Sequence, residues 1–109
     1  MYLSKYKLMW MFVFFDLPVM TRQDRHNATK FRKLLLDEGF VMTQYSVYYR
    51  LLSGKEAGEA IIRRLQKELP KKGKVDIIQI TDKQYEDIIS FTGTKKLPQK
   101  KNPDQLSLF

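Results

Sequence analysis

Cysteine is absent from the 109 residues. That absence removes disulfide frameworks, thiolate catalysis, iron–sulfur clusters and cysteine-ligated zinc together, and it agrees with a reducing, cytoplasmic setting. Histidine occurs once, at His26. Long apolar runs are also missing. The longest, Leu8–Phe15, stops at Asp16, well short of the ~18 residues that cross a bilayer. Lys5 and Lys7 before it give the outline of a leader. The run continues, however, into Asp16-Leu17-Pro18 rather than a small-residue cleavage site, and its second half is aromatic and β-branched. A buried strand accounts for it better. There is no phosphate-cradling glycine loop, no His-Glu-x-x-His and no Gly-x-Ser-x-Gly. Nucleotide hydrolysis, zinc proteolysis and serine esterase chemistry therefore lack their parts.

Acid is scarce as well. There are 12 Asp and Glu against 20 Lys and Arg, a formal charge of +8. The surplus is clustered. Arg22 to Lys33 holds five bases and one acid, and Arg50 to Lys74 holds eight bases and three acids. From Val75 to Gly93 the sign reverses to −3, and from Thr94 onward it returns to +3. Clustered cations set apart from an acidic segment suit a polyanionic partner. The apolar fraction of 43% and aromatic fraction of 13% can build one core without staples.

Local pattern gives the order of elements. Leu8–Leu17 is apolar on both alternating faces, which predicts a central strand covered on one side and pressed at a subunit contact on the other. Pro18 ends it. Thr21 or Asp24 can cap a helix carrying Ala28, Phe31, Leu34 and Leu35, which Gly39 stops. Phe40–Leu52 predicts one bent strand, or two hinged near Gln44–Tyr45. After the Ser53–Gly54 turn, Ile61, Ile62, Leu65 and Leu69 form the stripe of a second helix, closed by Pro70 and the lysine-rich loop. Val75–Thr81 reads as a strand, Lys83–Asp87 as a short helical turn, and Ile88–Thr92 as a small final strand. There is no internal repeat. This order predicts an α+β, ferredoxin-like sandwich, an antiparallel sheet with two helices on one face, spanning residues 1–93. Residues 94–109 read as a flexible basic tail. The bare sheet face would expose too many aromatics for a monomer, so a homodimer through that face is expected.

Asp16 is the leading candidate for chemistry. A carboxylate ending an apolar strand is costly to bury alone. Near a dimer axis it would meet its symmetry mate, and a cation between the two would relieve the repulsion. Mg²⁺ or Mn²⁺, shared by Asp16 of both subunits, suits carboxylate oxygen and could activate water against a phosphodiester. Alternatively Asp16 hydrogen-bonds the Pro18–Thr21 turn. No second carboxylate follows at a useful spacing, and Asp24 reads as a cap. Arg22, Arg25, His26 and Lys30 at the first helix start can bind phosphate, with Arg50, Arg63 and Arg64 adding cations; the alternative is a solvated helix face, and His26 reads as a surface residue. Tyr45, Tyr48 and Tyr49 could stack on unpaired bases, yet their spacing makes them face both sides of a sheet, which favours core and interface roles. Trp10 reads as core. The last five residues, Gln105-Leu106-Ser107-Leu108-Phe109, put Leu106, Leu108 and Phe109 on a polar linker. They resemble the short peptide with which bacterial replication and repair proteins dock on the sliding clamp. Docking on the chain's own sheet or on a partner subunit is the alternative.

Five segments in order carry a wider resemblance: Phe12–Pro18, Lys30–Leu35, Asp37-Glu38-Gly39-Phe40, Gln44–Arg50, and Ile80–Tyr85. Over residues 8–93 the chain resembles the smaller of the two universal CRISPR-associated spacer-acquisition proteins, nearest the form beside single-effector nucleases. The resemblance implies a ferredoxin-like homodimer that bridges two dimers of the CRISPR integrase and holds duplex DNA on a basic ridge. It also implies metal-dependent cleavage of single-stranded RNA or of DNA, with the family's metal-ligating aspartate falling on Asp16. Arg22 and Arg25 would contact phosphate. A toxin-type endoribonuclease of the related VapD family, without an integrase partner, is the alternative.

Overall fold

The computed structural model describes residues 8–101. Its elements are β1 (Met9–Asp16), α1 (Arg22–Asp37), β2 (Val41–Gln44), β3 (Val47–Leu52), α2 (Lys55–Lys67), β4 (Lys74–Thr81), a one-turn α3 (Asp82–Glu86) and the short strands β5 (Phe91–Thr92) and β6 (Lys95–Lys96). The main sheet runs β2-β3-β1-β4, and every neighbouring pair is antiparallel. The strand β1, apolar up to its last residue Asp16, is thus an inner strand, as its sequence demands.

Strand alternation divides the side chains of β1 cleanly. Met11, Val13 and Phe15 turn toward the helices and join Phe31 and Leu35 of α1, Tyr48 and Leu52 of β3, and Ile61 and Leu65 of α2 in one buried cluster. Truncating Leu35 or Leu65 in such a core costs about 2–5 kcal/mol. On the other face stand Trp10, Phe12, Phe14 and Asp16, opposite Leu51, Tyr49 and Val47 of β3 and Ile80, Ile78, Asp76 and Lys74 of β4.

Both helix ends of α1 are written in the sequence. Thr21 accepts from the Asp24 N–H while the Asp24 carboxylate accepts from the Thr21 N–H, a reciprocal cap. At the other end Gly39 takes φ +89°, and the Phe40 N–H donates to the Leu35 carbonyl and Gly39 N–H to that of Leu36. The Phe40–Leu52 stretch resolves into two strands joined at Tyr45–Ser46, with Ser46 at φ 63°.

Three details depart from the sequence reading. Leu69 lies beyond α2 and is exposed, because the helix ends at Lys67 ahead of Pro70. The small final strand is only Phe91–Thr92, and it pairs with Lys95–Lys96 in a separate hairpin instead of joining the sheet. The boundary expected at residue 94 therefore falls inside a hairpin, whose Leu97 N–H donates to the Ser90 carbonyl. The short α3 folds back over the outer sheet face. There Tyr85 stacks on Trp10 with ring centroids 3.8 Å apart, and the Trp10 indole N–H donates to Asp82 at 2.8 Å. Burial, with the Tyr49 hydroxyl beside it, pushes the Tyr85 phenol above its ordinary pKa.

Candidate nucleic-acid interface and strand-end carboxylate

α3 covers only the β1 N-terminal end of the outer face. Toward the other end Phe14 and Ile78 are 41% and 49% exposed, and Val41 of β2, opposite Tyr49, is exposed too. The apolar strip ends at Asp16. Its neighbour across the ladder is Lys74, and Asp76 stands two residues further along β4 on the same face. Lys74 Nζ lies 3.6 Å from the Asp76 carboxylate. On the opposite flank the Phe15 N–H donates to the Ser46 carbonyl, which fastens the β2–β3 turn beside the end of β1 and leaves Tyr45 79% exposed. Asp16, Asp76, Lys74, Tyr45 and Ser46 line one open concavity of about 300 Å³.

Asp16 is exposed in the single chain rather than buried, so it needs no partner within the subunit. Its neighbourhood is built tightly. Gly73, at φ +88°, packs so near that a Cβ there would sit 2.6 Å from the Asp16 carbonyl oxygen and 2.9 Å from Leu17. Asp76 is the carboxylate that linear spacing did not reveal. It lies 60 residues away, and only the antiparallel register of β1 with β4 brings it to the same face. Asp24, by contrast, is buried in its cap, with Lys72 3.7 Å away. Among the described residues there is no group of three or more His, Cys, Asp or Glu that could hold a metal ion. The donors present, one or two carboxylates, are all oxygen and suit a hard divalent cation that keeps several waters; they do not make a complete cage in one chain.

The helix layer carries the expected cations, and the fold sorts them into two groups. Arg22, Lys30 and Arg63 are exposed or nearly so, without hydrogen bond or ion pair among the described residues. The other three are engaged. Arg25 donates to the Val19 and Met20 carbonyls at 3.1 and 3.3 Å, bracing the loop after β1. Arg64 makes a two-pronged contact with Glu38, 2.8 Å on each oxygen, and its hydrogen bond, against an opposing effect of burial, holds the Glu38 carboxyl below its ordinary pKa. Arg50 points to the helix side, where it donates to the Glu38 and Leu51 carbonyls and packs under Gly39. Arg50 is therefore a brace at the end of α1, a correction to its place among the phosphate contacts. Lys67 and Lys71, which sequence reasoning passed over, share a concavity of about 410 Å³ with Lys30, Gln23 and Asn27 between the two helices. Their signal was the charge cluster around Pro70 itself. His26 is exposed, as expected. Of the three tyrosines, Tyr48 is core, Tyr49 faces outward and Tyr45 tips the turn. The Gln105–Phe109 peptide lies outside the described residues.

Fold and site together define a ferredoxin-like α+β protein whose outer sheet face ends in carboxylates and whose helix layer is cationic. A family model described as CRISPR associated protein Cas2 matches residues 9–88, and the chain belongs to that family. It is 50% identical over 107 residues to a protein of Paracidovorax avenae named CRISPR-associated endoribonuclease Cas2, covering 98% of this chain and 99% of that one. A relative of the same name from Flavobacterium psychrophilum is 44% identical over 107 residues, covering 98% and 93%. A solved structure titled "Crystal structure of cas2" superposes with a TM-score of 0.58 over 85% of this chain and 95% of its own, at 24% identity, a likeness of fold. No helix among the described residues is long and apolar enough to cross a membrane.

Proposed function

We propose that the chain serves CRISPR adaptation as a homodimer that grips duplex DNA on its cationic helix layer and bridges integrase dimers. The observation that carries this reading is the separation of the two faces. Phe14, Ile78 and Val41 are left uncovered on the sheet side, and Arg22, Lys30, Arg63, Lys67 and Lys71 stand on the helix side. A second copy closing over the apolar strip would leave both cationic layers outward. Apolar strips of this kind on small proteins mark association surfaces, and unpaired cations supply sequence-independent affinity for a phosphate backbone.

The same dimer supports phosphodiester cleavage, on single-stranded RNA or on DNA. Asp16 of each subunit, with Asp76 beside it, would hold Mg²⁺ or Mn²⁺ at the end of the strip. When bound, such a cation supplies Lewis-acid charge at the scissile phosphate. Lys74, opposite Asp16, counters phosphate charge, and the exposed ring of Tyr45 offers a face for an unpaired base. The two relatives described above are both named CRISPR-associated, which supports this reading over the toxin-type alternative.

The test is reconstitution with the neighbouring integrase and a short duplex. Insertion should depend on this chain and should survive Asp16→Asn, whereas the same substitution should abolish divalent-dependent cleavage of a single-stranded oligonucleotide. Ile78→Asp should yield a folded monomer in light scattering that no longer supports insertion. Insertion that proceeds equally without the chain overturns the bridging role. Asp16→Asn protein that cuts as well as wild type overturns the cleavage role.

A further inference from the structure

The loop after α2, residues 68–73, leads from the helix layer back to β4 and is docked rather than loose. At its far end Gly73, at φ +88°, packs against the Asp16 carbonyl. Lys72 Nζ lies 3.7 Å from the buried Asp24 carboxylate of α1. Pro70 stands against Leu17, Pro18 and Ala28 around a gap of only about 10 Å³. Between this fixed loop and the first half of α1 lies the concavity of about 410 Å³. Small-ligand sites run to ~300–1,000 Å³. A duplex cannot enter such a space, whereas one nucleotide can. Because the loop is already fastened, a ligand there is spared part of the cost of ordering its own wall.

We infer that this concavity binds a nucleoside monophosphate group, as a free nucleotide or as the phosphorylated end of a single strand. Its apolar part comes from Phe31, which is core but reaches the lining, and from Leu69. Leu69 was expected in the helix stripe, and its 43% exposure beside this space gives a base or ribose an apolar surface to lie on. Its neutral polar part is the pair Gln23 and Asn27. The Gln23 amide donates to the Asn27 carbonyl at 2.9 Å, which leaves the Gln23 carbonyl to accept from, and the Asn27 amide to donate to, the edge of a base. The rim supplies the charge. Lys30, Lys67 and Lys71 have no ion pair or hydrogen bond among the described residues. Three lysines against Glu68 leave +2 around the opening. A phosphomonoester carries about −1.5 to −2 near neutral pH, and a phosphodiester within a strand only about −1. The rim therefore suits a terminal phosphate better than an internal one. Nucleotide binding here is separate from the grip on duplex, although Lys30, Lys67 and Lys71 serve both.

Isothermal titration calorimetry of the full chain at one moderate salt concentration tests this. The probes are adenosine 5′-monophosphate, adenosine, inorganic phosphate, and a single-stranded pentanucleotide with and without a 5′-phosphate. The monophosphate should bind once per chain at roughly 10–100 μM, the efficiency of an ordinary small ligand, and at least ~10-fold more tightly than adenosine or phosphate alone. Lys67→Gln/Lys71→Gln should weaken it ~10-fold or more, since contacts to a charged phosphate are the strong ones. Gln23→Ala/Asn27→Ala should weaken it about 5-fold while circular dichroism and duplex affinity stay as in wild type. A phosphorylated pentanucleotide that outbinds both its hydroxyl form and the free nucleotide identifies a strand end as the occupant. Binding of the free nucleotide that equals or exceeds that of the phosphorylated strand identifies the nucleotide itself. The inference is overturned if the monophosphate binds no better than inorganic phosphate and phosphorylation of the pentanucleotide makes no difference. It is overturned equally if both double variants bind these probes as wild type does, since the site would then lie elsewhere.

Discussion

Neutralising Arg22, Lys30 and Arg63 together should weaken duplex binding in a way that neutralising Arg50 does not. The first three have no protein partner among the described residues. Each can release a counterion from DNA, at ~0.9 in the slope of log K against log salt. Arg22→Gln/Lys30→Gln/Arg63→Gln should therefore flatten that slope by about 3 per chain, and by about 5 if both chains of a dimer lie on one duplex. Removing them breaks no described hydrogen bond, so thermal stability should hold. Arg50 is the reverse case. Its guanidinium holds the Glu38 and Leu51 carbonyls on the half-buried side of β3. Arg50→Gln should cost about 2–3 kcal/mol, the range for losing hydrogen bonds from a charged group, and should lower the melting temperature by roughly 10 °C in a domain of this size. Its salt slope should stay as in wild type. Fluorescence anisotropy of a labelled duplex across a potassium chloride series reads the slope, and differential scanning calorimetry reads the stability. If Arg50→Gln flattened the slope as much as the triple variant, the division into bracing and free cations would be wrong.

Gly73→Ala should destabilise the protein by about 2–3 kcal/mol, because a Cβ at φ +88° would collide with the Asp16 carbonyl oxygen; urea unfolding measures this, and an unchanged midpoint refutes the close packing. The same variant should cut less well at matched folded fraction, since the collision displaces the backbone that carries Asp16. Arg64→Ala should lower the melting temperature near neutral pH, with a gap that closes in acid. The Glu38 carboxyl is held below its ordinary 4.5 mainly by the Arg64 hydrogen bond. The stabilisation is therefore complete above the unfolded value and is lost as pH falls through the lower folded value. A gap that stays constant into acid would show that charge pairing plays no part.

Much of this molecule was legible from its residues, and the reason is physical. Periodicity and capping are local. The doubly apolar Leu8–Leu17 had to be an inner strand, Thr21 with Asp24 could cap only the helix directly after them, and Gly39 supplied the left-handed residue that ends α1. The Gln44–Tyr45 break was visible as an open choice between one strand and two, and the turn at Tyr45–Ser46 decided it. Asp16 could be singled out because a carboxylate at the end of so apolar a strand is conspicuous at any scale. Composition likewise announced the cationic character of the helices and the acidic interval after Val75.

Other properties depended on neighbours that the linear order does not supply. Asp76 reaches the Asp16 face through β1–β4 register, and a shift of one residue would turn it toward the helices. Arg50 looked like any other arginine of a basic stretch until the alternation of β3 pointed it under Gly39. Arg64 looked like a phosphate contact until the folding of α2 onto α1 set it against Glu38. Tyr85 lay in a short, unpromising turn, yet it stacks on Trp10 because α3 folds back over the sheet. The sequence by itself determined the elements, their caps and the overall sign of the surface, since these depend on residues within a few positions of one another. Only the tertiary structure decided which charges are free and which carboxylates share a face, because pairing across strands and helices joins residues tens of positions apart.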